Sequence, residues 1–219
     1  MICGIDEAGR GPVLGPLVVA AVAVASDDAL REIGVRDSKR LSRKRREALS
    51  VEIRKMAKIE VISISAARID ALRAEMTMNE IEVRAFASLL DRMQPEEAYL
   101  DSADVRAEEF GRQVRSLLSY APLRLISEHS ADVKYPVVSA ASIIAKTERD
   151  AAMVRIGDEI GEEVGSGYPN DPVTRGFLAR YLKQHGRLPP HTRRSWETSK
   201  VLEAGQKVLR IDSFPPSDG

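Results

Sequence analysis

The chain has a single cysteine in 219 residues, Cys3, set inside its first apolar run. One thiol excludes a disulfide framework and a cysteine-based zinc site. No apolar run can cross a bilayer: the longest, residues 17–25, falls well short of the roughly 20 residues that a spanning helix needs. The N-terminus has no basic segment leading into an apolar one, so no secretory leader is expected, and a cytoplasmic protein without membrane association is the default. Internal repeats are absent. So is net charge: 33 basic residues stand against 33 acidic ones, a balance that does not advertise a nucleic-acid binder. What remains is ordinary globular material, 43% hydrophobic and 30% charged, enough for one large domain or a domain with an appendage.

The charge is unevenly spread. Between Pro172 and Arg210 there are nine Lys and Arg, opposed only by Glu197 and Glu203. A second basic stretch runs from Lys39 to Lys55. One such run reads as a solvated helix face. Two, each beside unusual residues, point toward phosphate contact.

Apolar patterning gives an α/β chain. Residues 1–6 and 17–25 read as strands, separated by a turn cluster of Gly9, Gly11, Pro12, Gly15 and Pro16. The unbroken apolar run at 17–25 implies burial on both faces and helices covering the sheet. Further strands are expected at 59–64, 98–101 and 123–126. Helices are expected at 42–58 (capped by Ser42), 79–93, 110–118, 140–160, 173–184 (capped by Asp171) and 196–209. The boundaries fall at 1–165 for a sheet domain, 166–211 for a helical C-terminal region and 212–219 for a disordered tail.

Four acids stand where a strand ends or a helix begins: Asp6, Glu7, Asp101 and Asp132. Read singly they are unremarkable, since Asp6-Glu7 suits a surface turn and Asp132 suits a helix N-cap. If the first and fourth strands are neighbours, the acids converge at one sheet edge. Four crowded carboxylates would raise one another's pKa. Two divalent cations, about 3.5–4 Å apart, would remove that penalty and clamp both the attacking and leaving oxygens of a phosphoryl displacement. The glycines permit a rival reading as a dinucleotide loop. That mechanism needs a helix to start after the turn, whereas Pro12 and Pro16 intervene and the next segment is β-like.

The order of the motifs carries more. Gly4-Ile5-Asp6-Glu7-Ala8-Gly9-Arg10-Gly11-Pro12 followed by Gly15-Pro16-Leu17-Val18 resembles the opening block of the ribonuclease HII family. Asp37-Ser38-Lys39 with Leu41-Ser42 is similar to its second block, and Leu100-Asp101 to its third acidic position. Ala131-Asp132 and the run from Lys134 to Lys146 are similar to its fourth. Gly167-Tyr168-Pro169-Asn170-Asp171-Pro172 matches the block holding the family's substrate-reading tyrosine, and Arg194-Ser195-Trp196-Glu197-Thr198 a C-terminal block of the archaeal and eukaryotic branch.

The resemblance implies a ribonuclease H-like mixed sheet flanked by helices, with a helical C-terminal region completing a substrate groove. It implies a metal-dependent endonuclease that cuts the RNA strand of RNA/DNA hybrids and nicks DNA duplex containing ribonucleotides, working in DNA replication and repair. Asp6, Glu7, Asp101 and Asp132 would be both catalytic residues and ligands of two Mg2+ or Mn2+ ions. Gly9, Arg10 and Gly11 would clamp the 2′-hydroxyl, Lys39 and Lys146 would meet phosphate, and Tyr168 would read the sugar. For Arg10 the plainer alternative is a surface ion pair, and for Lys146 a structural one. Ser139, Ser142 and Trp196 read as capping or packing residues. The residues from Gln206 to Phe214 loosely resemble a sliding-clamp-binding peptide, with the aromatic one place late. A monomeric archaeal single-chain enzyme fits best, and the alternative is a non-catalytic RNA/DNA-hybrid-binding protein.

Overall fold

A computed structural model describes residues 1–35 and 41–212, with side chains to residue 205. The elements in chain order are β1 (Ile2–Ala8), β2 (Leu17–Val24), α1 (Asp28–Glu32), α2 (Arg43–Met56), β3 (Lys58–Ile64), α3 (Ala66–Arg73), α4 (Met78–Met93), β4 (Glu97–Asp101), α5 (Ala107–Ser116), β5 (Arg124–Glu128), α6 (Ala131–Lys134), α7 (Pro136–Ile160), α8 (Pro172–His185) and α9 (Glu197–Asp212). They group into two compact units that interleave along the chain. The first comprises residues 1–10, 17–64 and 75–149. The second comprises residues 11–16, 65–74 and 150–219.

The first unit is built on a five-stranded mixed sheet in the order β3-β2-β1-β4-β5. β2 runs antiparallel to both β1 and β3, while β1–β4 and β4–β5 are parallel. All eight residues of β2 are buried, as its unbroken apolar sequence requires. Val18, Ala20, Val22 and Val24 share a core with Leu49 and Ile53 of α2 and with the Val137–Ala145 stretch of α7. Helix α4 packs along β2 and β3, and α5 along α4 and β5. Phe86 and Phe110 meet edge to face at 5.1 Å, the arrangement that the ring quadrupoles favour.

One glycine sets how closely α7 approaches the sheet. A Cβ on Gly4 would lie 2.3 Å from the carbonyl carbon of Val137. Only hydrogen fits there, and the contact brings the following turns of α7 down beside the end of β1.

The second unit has its own core of Val13, Leu14, Met153, Ile156, Val164, Phe177 and Leu178. The turn segment 11–16 is woven into it. Leu14 bridges to Thr192, the amides of Val13 and Leu14 both donate to the Gly167 carbonyl, and Arg193 donates its amide to Val13. Arg193 is wholly buried, its Nε donating to the Gly15 carbonyl at 3.0 Å.

Element ends differ modestly from expectation. Helix α7 starts at Pro136 rather than residue 140, since proline costs nothing in a first helical turn. Ser42 caps α2 as expected, but the helix stops at Met56 and Lys58 opens β3. The short helices α1, α3 and α6 carry too few residues for a periodic signal. Asp212 is the last residue of α9, and residues 213–219 lie outside the described ones.

Candidate active site

β1 and β4 are adjacent and parallel, with Ile5 paired to Leu100. Asp6 and Asp101 follow that pair directly, so the two carboxylates leave the sheet at the same edge. One oxygen of Asp101 accepts the amide of Ala131 at 3.0 Å. That bond caps α6, whose preceding residue Ser130 is left-handed and makes no side-chain cap of its own. Asp132, the next residue, is thereby swung inward and buried. It lies inside the helix and is not its N-cap. Asp6, Asp101 and Asp132 bring ligand oxygens within 4.8 Å of one another.

Glu7 follows Asp6 on β1 and is not one of these three. It is close enough to sense the others. Burial and the neighbouring charges of Asp6 and Asp101 push the Glu7 carboxyl well above the usual carboxylate range, against the pull of Arg10. Burial and Asp101 likewise push Asp6 up to about 7, opposed by the Ser142 hydroxyl and Lys146. The cluster carries more negative charge than its surroundings neutralise. A set of hard carboxylate oxygens in that condition fits Mg2+ or Mn2+.

The remaining expected residues fall into distinct settings. Lys146 donates to the Ser142 hydroxyl at 2.8 Å, one helical turn earlier on α7, and so joins the Asp6 network. Ser142 was legible only as a packing residue, yet it is the link between that lysine and the acid. Ser139 is a packing residue, donating its hydroxyl to the Val35 carbonyl. Gly9 is buried with φ of 96°, a conformation that side chains resist. Arg10 pairs with Glu82 and Asn79 of α4. Glu82 and Asn79 escaped the sequence reading. A signal existed for Glu82, which lies between Ile81 and Val83 and four residues before Phe86, on a face where a charge needs a partner.

Gly11 and Tyr168 belong to the second unit and lie together. A Cβ on Gly11 would stand 3.7 Å from the Tyr168 ring. Tyr168 is 40% exposed, so the ring is no core plug. Its turn is held by Asp171, which accepts from the Ser166 amide and hydroxyl and caps α8 through the Val173 amide. Trp196 donates its indole N–H to the Gly11 carbonyl at 3.2 Å and stacks under the Arg193 guanidinium, a packing anchor. Lys39 lies outside the described residues, as do Asp37 and Ser38.

Comparison with known proteins gives the family and the fold. The family model described as ribonuclease HII matches residues 3–199. Ribonuclease HII of Methanoregula boonei is 46% identical over 214 residues, covering 98% of this chain and 100% of that one. Among solved structures, ribonuclease H2 of Pyrococcus horikoshii superposes with a TM-score of 0.87 at 41% identity, covering 94% of this chain and 98% of that one. Ribonuclease HII of Archaeoglobus fulgidus, solved in complex with PCNA, gives 0.86 at 46% identity, covering 92% and 96%.

Proposed function

The chain belongs to the ribonuclease HII family and is therefore an endoribonuclease of the ribonuclease H type, and on that premise we propose that it cuts the RNA strand of RNA/DNA hybrids and nicks duplex DNA on the 5′ side of embedded ribonucleotides, leaving 3′-hydroxyl and 5′-phosphate ends. The observation that carries this reading is the convergence of Asp6, Asp101 and Asp132 within 4.8 Å, with Glu7 alongside. Two divalent ions held by these four acids would supply activation of the attacking water and charge stabilisation at the leaving 3′ oxygen.

The chain's own residues hold and orient. Asp101 fixes α6 and so aims Asp132. Ser142 and Lys146 hold Asp6 and offset part of its charge. The main chain of Gly9, Arg10 and Gly11 clamps the 2′-hydroxyl, which both donates and accepts and so distinguishes ribose from deoxyribose. Lys39 and Lys146 bind substrate phosphate. Tyr168 packs on the sugar 3′ of the ribonucleotide and favours a deoxyribose there.

The relative from Archaeoglobus fulgidus is found with PCNA. By extension, the segment 206–214 of this chain docks on a sliding clamp, with the enzyme acting as a cytoplasmic monomer in replication and repair. Cleavage of a labelled duplex bearing one ribonucleotide, with Mg2+ or Mn2+ and with chelator, tests the reading. Metal-dependent nicking on the 5′ side is expected, and metal-independent or absent cleavage would contradict it.

A further inference from the structure

Glu82 is a carboxylate where the fold offers a carboxylate little reason to be. It lies on α4 and is 1% exposed. One oxygen takes the Arg10 guanidinium, while the other, Oε1, has no hydrogen-bond partner among the described residues. A buried charge with an unpaired oxygen costs stability, and an apolar residue of the same shape would often serve the core as well or better. Its worth must therefore lie in what it holds. Arg10 also donates its second terminal nitrogen to Asn79 Oδ1. The Asn79 amide nitrogen donates in turn to Asp104, and the Ser102 hydroxyl accepts the Asp104 amide at 3.2 Å. The guanidinium is thus gripped from two directions by side chains one turn apart on a rigid helix. The same chain of bonds ends in the loop that follows Asp101.

This matters because Arg10 sits next to Gly9, which has φ of 96° and no Cβ, so side-chain sterics do not hold the local backbone in that conformation. A turn that must present main-chain N–H and C=O groups to a ligand needs some outside constraint to stay in one conformation. Arg10 is the side chain that can transmit one. A planar fork held by two acceptors fixes orientation as well as distance, which a lysine could not do.

We propose that Glu82 and Asn79 are positioning residues for substrate binding: they lock the Arg10 guanidinium and thereby hold the Gly9–Arg10 main chain in its ligand-ready conformation. Neither touches substrate or metal. The inference rests on the reading of Gly9 to Gly11 as the ribose clamp, and its test is built so that the two can fail separately.

The experiment compares wild type, Glu82→Gln, Arg10→Ala and the double variant, with Asn79→Ala as a milder probe should Glu82→Gln fold poorly. Amide hydrogen exchange at Arg10 is measured first and needs no catalytic activity. Exchange should speed up about ten-fold in Glu82→Gln and in Asn79→Ala while the core strands stay protected. Steady-state cleavage of a duplex with one ribonucleotide follows. KM should rise about ten-fold, the scale of one charge-assisted hydrogen bond, with kcat and Mg2+ affinity nearly unchanged. In the Arg10→Ala background, Glu82→Gln should add less than two-fold, since its route of action is gone. Unchanged exchange at Arg10, or equal effects of Glu82→Gln with and without Arg10, would overturn the proposal. Faster exchange at Arg10 with no change in KM would keep the locking role and remove the ribose-clamp reading.

Discussion

Neutralising Asp6 should stabilise the metal-free protein above neutral pH. Burial and Asp101 carry the Asp6 carboxyl from 3.8 to about 7. A raised folded-state pKa means that the native chain binds the proton more tightly than the unfolded chain. Stability therefore falls as pH climbs from about 4, and the full penalty is present above about 7. That rise corresponds to roughly 4 kcal/mol, and relaxation around the site leaves about 2–4. Asp6→Asn removes the titration while keeping the shape. Thermal melts with chelator at pH 3 and pH 8 give the test. The variant and the wild type should melt together at the acid end. At pH 8 the variant should melt higher by on the order of 10 °C, at about 2–4 °C per kcal/mol for a chain of this size. Mg2+ at about one thousand times its dissociation constant should reverse the order, because bound ion then stabilises the wild type by roughly 4.1 kcal/mol, and the variant lacks one ligand. Equal melting of the two chelated proteins at pH 8 would show that the acids are not a frustrated cluster.

Gly4→Ala should cost at least about 1–3 kcal/mol, because its Cβ would meet Val137 backbone at 2.3 Å, and denaturant titration should show a lower midpoint with unchanged slope. Tyr168→Ala should cut cleavage at a single ribonucleotide more than cleavage within a long hybrid, by up to the roughly 1–3 kcal/mol typical of aromatic contacts with nucleic acid; equal losses on both substrates would refute the junction-reading role. Replacing the exposed Lys183, Arg187 and Arg194 with serine should lower the slope of log K against log salt for hybrid binding by about 2–3, and an unchanged slope would remove this face from the phosphate surface. Deleting residues 185–219 would be a poorer test, since Arg193 is buried in the second unit's core.

Much of this was legible because the informative features are local. The apolar run of β2 dictates burial on both faces, and the acids at the ends of short strands announce themselves by position. Asp6 and Asp101 could be brought together on the single assumption that their strands are neighbours, and β1 and β4 do pair. What escaped is tertiary. Glu82 reads as one more charge on an amphipathic helix until Arg10, 72 residues away, is seen to hold it. Ser142 looks like helix packing because its link to Asp6 crosses from helix to strand. A linear division of the chain likewise cannot anticipate that residues 11–16 and 65–74 fold with the C-terminal part, since nothing in a short turn segment records which distant chain it will pair with.

The most direct measurement compares wild type and Asp101→Asn on a duplex carrying one ribonucleotide, at saturating Mg2+, with folding of both checked by circular dichroism. Asp101 should be needed as a ligand, and asparagine keeps an oxygen to accept the Ala131 amide that aims Asp132, so the substitution isolates the ligand role. The wild type should nick on the 5′ side of the ribonucleotide, and a folded Asp101→Asn protein should lose nearly all of that activity. Substantial cleavage by the folded variant would contradict the assignment of the acidic cluster as the catalytic centre.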